Sequence, residues 1–272
     1  LLVNNGHRVM IETDAGKAAN FDDHAYSEAG AQIVYSVEEI YKADIVMRVG
    51  PPSLEEVNFM QRKQTIFSTL QITVQPKDYI KKLISKKISA IAYDTIKDEG
   101  GIYPVIRSMG EIAGNTAILI AAELLSNVNK GKGLMLGGVA GVPATEVVIL
   151  GAGTVGEFAA RAALGLGATV KIFDDSLYKL RRLQNDLGMR VFTSILQPDV
   201  LLNELKTADV AIGAIRASGR RTPCVVTEEM VKEMRLGSVV VDVSIDQGGC
   251  FETSRVTDHK NPIYTQYGVI NY

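Results

Sequence analysis

One stretch constrains the chain most tightly: Val147-Val148-Ile149-Leu150-Gly151-Ala152-Gly153-Thr154-Val155-Gly156, with Asp174 eighteen residues past its last glycine. Four apolar residues read as a buried strand, the glycines are spaced GxGxxG, and the following residues open a helix. Gly151 permits the tight strand-to-helix turn, Gly153 lets a pyrophosphate approach the backbone, and Gly156 lets the helix pack closely on the strand. The phosphate would meet the unpaired N–H groups of Thr154, Val155 and their neighbours at the positive end of a helix dipole. Val155, Phe158, Ala159, Ala162, Ala163 and Leu166 recur at helical spacing and predict one apolar face against a sheet, with Glu157 and Arg161 as an outward i,i+4 pair.

Asp174 ends the next apolar run, 169–173, where a carboxylate accepts hydrogen bonds from ribose hydroxyls. Asp175 stands beside it and no Arg or Lys follows directly, so a 2'-phosphate would be repelled; the expected cofactor is NAD. Ala214 and Ile215, at the end of a further strand over 209–215, are placed in the same cofactor site.

With 272 residues, 46% of them hydrophobic, the chain can bury two cores. Twenty-nine basic against 31 acidic residues leave a net charge of −2, which gives no global reason to expect a nucleic-acid partner. Cys224 and Cys250 form no CxxC pair, so no metal site or disulfide framework is indicated, and reduced thiols in a cytoplasm are expected. No run approaches the roughly 20 apolar residues of a membrane span, so no direct membrane insertion is expected. The sequence starts without methionine inside what reads as the tail of a helix stopped by Gly6, and both ends of the natural protein are expected to lie outside it.

Short strands (7–11, 32–34, 44–49, 65–70, 88–93) alternate with helical patterns (22–29, 37–43, 54–60, 77–85). This predicts a parallel sheet with helices on its faces over residues 1–107. An apolar-rich pattern over about 108–127 predicts a buried connecting helix, and the glycines from Gly131 to Gly141 a loop. Residues 108–272 then repeat the βα rhythm, with six strands and the glycine fingerprint on the first. The expected class is α/β, two Rossmann-like doubly wound parallel-sheet domains separated by an active-site cleft, the first for substrate and the second for NAD.

Two residues stand out as candidates for chemistry. Asp246 follows the strand pattern 239–245, and ligands in such sheets sit beyond the carboxyl ends of strands; Asp242 is expected in mid-strand. Arg48, in Met47-Arg48-Val49-Gly50-Pro51-Pro52, stands at a strand end before a turn, where a guanidinium can take a carboxylate bidentately. Only three histidines are present, His7, His24 and His259, and none lies in a motif.

The chain resembles the alanine dehydrogenase and transhydrogenase NAD-binding-subunit superfamily, and alanine dehydrogenase in particular, over nearly its whole length. The resemblance rests on Ile91-Ala92-Tyr93-Asp94-Thr95, on Met109-Gly110-Glu111-Ile112-Ala113-Gly114, on Leu136-Gly137-Gly138-Val139-Ala140-Gly141-Val142, on the fingerprint itself, and on Ile245-Asp246-Gln247-Gly248-Gly249-Cys250-Phe251-Glu252. Transhydrogenase subunits carry a long insertion between the strands placed here at Met189 and Asp209, where this chain has a short helix.

What the resemblance implies is reversible oxidation of alanine by hydride transfer to NAD, giving pyruvate and ammonia, in a homo-oligomer acting on a small amino or 2-oxo acid. It places the family's aspartate, which orders water or ammonia, on Asp246. It places the family's lysine on Gly50, its histidine on Gln71 and a cofactor-contacting serine on Gly110. Glutamine hydrogen-bonds but does not shuttle a proton near neutral pH, and Arg48, two residues from Gly50, is expected to reach toward the lysine's place. Two alternatives accompany this reading: an NAD-binding relative with altered or lost substrate chemistry, and the soluble NAD(H)-binding subunit of a proton-translocating transhydrogenase.

Overall fold

The structure is a computed structural model that describes residues 1–72, 74–217 and 221–272. It divides into two compact units, Leu1–Tyr103 and Pro104–Tyr272.

The first unit is built from β1 (Met10–Glu12), α1 (Asp23–Glu28), β2 (Gln32–Val34), α2 (Val37–Ile40), β3 (Ile45–Met47), α3 (Glu56–Phe59), β4 (Thr65–Ser68), α4 (Lys77–Ser85) and β5 (Ser89–Ala92). The pairings are parallel, as the alternation predicts, but the strands form two short sheets, β1-β2 and β3-β4-β5. The larger sheet buries one face. Val46 and Ile66 pack with Tyr41, Val57, Met60, Tyr79 and Leu83, whereas Ile45 and Met47 on the opposite parity are exposed. Gly6 closes the opening turn Val3–Asn5 with φ 83°, the glycine stop expected from the sequence.

The second unit comprises α5 (Pro104–Leu124), β6 (Glu146–Leu150), α6 (Thr154–Gly165), β7 (Thr169–Phe173), α7 (Leu177–Leu187), β8 (Phe192–Ser194), α8 (Pro198–Thr207), β9 (Val210–Gly213), α9 (Glu228–Lys232), β10 (Val239–Asp242), β11 (Tyr264–Gln266) and β12 (Val269–Asn271). Its sheet runs β11-β12-β10-β9-β6-β7-β8. Without β11 this is the doubly wound order in which the chain reverses direction between β6 and β9. β11, which the sequence pattern does not reveal, is the one antiparallel edge strand among the described residues.

Parity along the strands explains why they read as continuous apolar runs. Val147 and Ile149 face the core shared with α5, α6 and α7, while Val148 and Leu150 face the core shared with α8 and α9. Three expectations are corrected here. β10 ends at Asp242, so this residue caps the strand's carboxyl end instead of sitting in its middle. The buried stripe of α6 is Gly156, Ala159, Ala160 and Ala163, and Leu166 is 46% exposed. Helix α5 starts at Pro104 and buries only one side, Gly110, Gly114, Ala117, Ile118, Ala121 and Leu124, leaving Ile112 and Leu119 exposed. Those small residues at i, i+4, i+7 and i+11 let α5 lie directly on α6.

Among the described residues no helix is long and apolar enough to cross a membrane.

The contact between α5 and α6 yields a stability prediction. A methyl group on Gly114 would collide with the Val155 carbonyl and come within 2.9 Å of Ala159 N and Phe158 Cβ. Backbone cannot yield as a side-chain tip can. Gly114→Ala should therefore lower stability by about 1–3 kcal/mol by overpacking, although alanine is about 1 kcal/mol the better helix former; thermal unfolding measures the net sign.

Candidate functional site

The glycine loop joins β6 to α6 at the point where the sheet order reverses. Gly151 has φ 112°, a region open to glycine, and its N–H donates to the Phe173 carbonyl at 2.6 Å. A Cβ on Gly151 would lie 2.5 Å from the Ala214 carbonyl oxygen, and one on Gly156 would collide with the Gly151 carbonyl. Gly153 differs: a Cβ there would meet nothing within 4 Å. Its glycine thus leaves a space that the protein itself does not fill, directly before α6. Gly153 is the N-cap of this helix and supplies no side-chain cap, so the first-turn N–H groups at Thr154 and Val155 have no intrahelical acceptor. That donor set and that space fit a dinucleotide pyrophosphate.

Asp174 lies where the fingerprint requires it, at the end of β7, and is 7% exposed. Its Oδ2 accepts the Ala152 N–H at 2.8 Å and its Oδ1 accepts the Ser176 N–H at 2.8 Å. The carboxylate therefore ties the glycine loop to the start of α7 while keeping lone pairs for a ribose hydroxyl. Lys179 Nζ stands 3.4 Å from the same Oδ2. Sequence reasoning missed this lysine. It lies five residues past Asp174 in the first helical turn, a spacing that turns it back toward the strand end. Arg182, one turn further, donates to the Ala152 carbonyl at 3.2 Å.

The carboxyl ends of β9 and β10 complete this edge. Ala214 donates to the Leu150 carbonyl at 2.7 Å, and the Ile215 carbonyl accepts the Ser244 hydroxyl at 2.8 Å. Ala214 and Ile215 thereby join the glycine loop to the segment that carries Asp246. Asp246 sits in the short turn Ile245–Gln247 and is exposed. Although the residue reaches solvent, partial desolvation of its carboxyl pushes it above the usual range, and the positive charge of Arg216 opposes that rise.

In the first unit, Arg48 directs Nη1 to Glu56 Oε1 at 2.6 Å and to the Tyr41 hydroxyl at 3.1 Å. It lines a cavity of about 330 Å³ together with Pro51, Ser53, Gln75 and Tyr79. Gly50 has nothing within 4 Å of the position a Cβ would take. Gln71 follows β4 in a loop and holds a left-handed backbone, φ 47°, uncommon for a residue with a side chain. The Val49 carbonyl gathers the nearby strand ends, accepting Thr69 N–H, Thr69 Oγ1 and the Tyr93 hydroxyl at 3.1, 2.8 and 2.8 Å.

The sheet order, the glycine loop and the acidic end of β7 define a Rossmann-type dinucleotide-binding α/β protein. Comparison with known proteins narrows this. The Alanine dehydrogenase/PNT C-terminal domain model matches residues 117–272 and the N-terminal domain model residues 1–113. The chain belongs to the alanine dehydrogenase/PNT family.

It is 40% identical over all 272 residues to an alanine dehydrogenase of Staphylococcus epidermidis, covering 73% of that protein. It is also 40% identical to one of Bacillus subtilis, covering 71%. A solved L-alanine dehydrogenase superposes over 100% of this chain and 75% of its own, at 39% identity and a TM-score of 0.87. A transhydrogenase from Sinorhizobium meliloti shares the fold over 99% of this chain and 78% of its own, with 24% identity and a TM-score of 0.78.

The three glycines separate folding from ligand binding. Gly153→Ala should keep the thermal midpoint of the parent within the equivalent of about 1 kcal/mol, because the added methyl meets open space, and should weaken dinucleotide binding at least about tenfold. Gly156→Ala should lose both. Calorimetric titration with NADH beside thermal unfolding checks the contrast.

Proposed function

We propose that the protein catalyses the reversible NAD-dependent oxidative deamination of L-alanine: alanine, NAD+ and water give pyruvate, ammonium, NADH and a proton. The observation that carries this reading is the 40% identity to alanine dehydrogenases over all 272 residues of this chain, with Asp246 standing on the turn after β10. NAD, when bound, supplies the hydride acceptor; Gly151, Gly153, Thr154, Val155 and Gly156 would hold its pyrophosphate and Asp174 its ribose. Asp174, 7% exposed and already an acceptor for two N–H groups, supports NAD over NADP, since a carboxylate fixed there can accept from the 2'-hydroxyl that NAD carries and NADP lacks, while Lys179, 3.4 Å from it, pairs its charge.

Asp246 orders the attacking water and takes its proton as the imine is hydrolysed. A carboxyl raised above its ordinary range is a better base than one at the usual value. Gln71 contributes hydrogen bonds only. Arg48 holds substrate through the donors that Glu56 and Tyr41 leave it. Its charge is partly neutralised by Glu56, so Arg48→Ala should raise KM for the amino acid more than it lowers kcat.

A second reading draws support from Gly50 and Gln71, which lack the cationic and proton-shuttling side chains of a lysine and a histidine: an NAD-binding relative with altered substrate chemistry. NADH absorbance with a panel of amino acids, and in reverse with 2-oxo acids and ammonium, separates the two. Turnover of alanine supports the first; NADH binding with turnover of another amino acid, or of none, supports the second.

Two further outcomes follow from the alanine reading. The rate of deamination should rise with pH through the raised Asp246 value, because the ionised form is the base, so the acid limb of the profile lies above the ordinary carboxylate range and disappears in Asp246→Asn. Gln71→His should raise kcat at least about tenfold, given that a positioned proton-transfer group contributes roughly 10²–10⁴. Histidine is among the side chains that tolerate the left-handed backbone found there.

A further inference from the structure

A second aspartate of the same segment, Asp242, takes no part in the chemistry described above, yet its carboxylate accepts four hydrogen bonds. It is 4% exposed and ends β10. Its Oδ1 accepts the Ser244 N–H at 3.1 Å. Its Oδ2 accepts Cys250 N–H at 2.8 Å, Phe251 N–H at 3.3 Å and the Ser254 hydroxyl at 2.7 Å. The donors come from both sides of Asp246 in the chain, so one carboxylate clamps the beginning and the end of the segment that presents it.

The surroundings are shaped for this anion. A Cβ on Gly213 would stand 2.5 Å from Oδ1, and one on Gly249 would stand 2.9 Å from Oδ2. Gly249 also has φ 77° and Gly248 φ 111°, which lets the chain turn back over the carboxylate. Inside the turn, Gln247 and Gly249 donate to the Ser244 carbonyl at 3.0 Å each, and Gly248 donates to that of Ile245 at 3.0 Å. Charged groups that act on Asp246 include Arg216 and Asp242, and Arg221 packs against Gly248.

We propose that Asp242 is the positioning residue of the active-site segment, an internal anion around which residues 244–254 are wound so that the Asp246 carboxyl is held at the carboxyl edge of the sheet. It acts through Asp246 and touches no reactant. The charge contributes as well as the geometry: beyond the partial desolvation of its carboxyl, Asp246 feels the negative charge of Asp242, which raises it, against the larger attraction of Arg216. The carboxylate form is required, since four donors converge on it and an amide nitrogen in place of Oδ2 would turn an N–H toward two backbone N–H groups. This inference rests on the role given to Asp246 above.

The test compares Asp242→Asn, Ser254→Ala and Asp246→Asn in the whole protein, with kinetics per NADH-binding site and two measurements independent of turnover. These are hydrogen exchange of the amides in 247–251 and the titration of the Asp246 carboxyl by carbon NMR. In Asp242→Asn, kcat for alanine should fall about 100-fold, in line with the cost of misplacing a reacting group. The acid limb should move to lower pH, the Asp246 titration should move the same way, and the amides of 247–251 should exchange faster while those of β9 keep their protection. Ser254→Ala keeps the charge and should lower kcat less, with the acid limb unmoved. Unchanged loop exchange and an unchanged Asp246 titration in Asp242→Asn would overturn the proposal. If the parent binds NADH without oxidising alanine while those two measurements shift as expected, the function assigned above fails and the positioning role stands.

Discussion

A carboxylate taken out of water is tolerated only where enough donors converge on it, and the C-terminal edge of the second sheet is organised by two such groups. Asp174 and Asp242 are 7% and 4% exposed, and each stands where a parallel strand stops. Each takes N–H groups from residues outside the sheet's strands: Ala152 and Ser176 for the first, Ser244, Cys250 and Phe251 for the second. These charge-assisted bonds oppose the desolvation of each ion, although for Asp242 burial outweighs them and pushes the carboxyl above the usual range, and removing the acceptor would leave several buried donors unmatched. The loops at this edge of the sheet thus obtain their shape from anions behind them.

The same device explains the glycines. Gly151, Gly156, Gly213 and Gly249 are places where backbone or carboxylate of a neighbouring segment occupies the volume a side chain would need. Gly153 differs, open on its free side, which leaves room for a ligand where the other four positions are filled by the protein. A GxGxxG spacing alone cannot make that distinction, because it is the same three letters in both cases.

Much of the frame was legible because its signals are local. The apolar run 147–150, the glycine spacing and Asp174 lie within one βαβ unit, so strand, turn, helix and acidic end could be read in order. Ser176 and Gly188 likewise announced the two ends of α7. What escaped depends on distant partners. Asp242 read as mid-strand because its side chain ends the strand by accepting N–H groups from residues 250 and 251, which no periodicity encodes. β11 is defined only by pairing with β12. The exposed side of α5 is as apolar as the buried side, Ile112 beside Gly114, so composition could not tell which faced α6; the small residues could, since only they allow two helices to touch.

The candidate chemistry divides along the same line. Asp246 is a candidate because strand ends in open α/β sheets carry function, a rule about topology that the sequence reveals through its βα rhythm. Arg48 was singled out by that rule too, but its neighbours were hidden: Glu56 and Tyr41, eight and seven residues away, take its Nη1 in the folded unit. An arginine so placed has less charge to offer a substrate than one facing an empty pocket. Gln71 shows the reverse. Its side chain is chemically modest, yet its backbone holds a conformation that costs free energy, φ 47°. Strain of that kind persists where the surrounding loop over-determines it, here through Val74 N–H on the Gln71 carbonyl and Gln75 Nε2 on that of Leu70. The loop therefore holds the backbone at residue 71 through bonds that its own side chain does not make, and exchanging that side chain leaves those bonds in place.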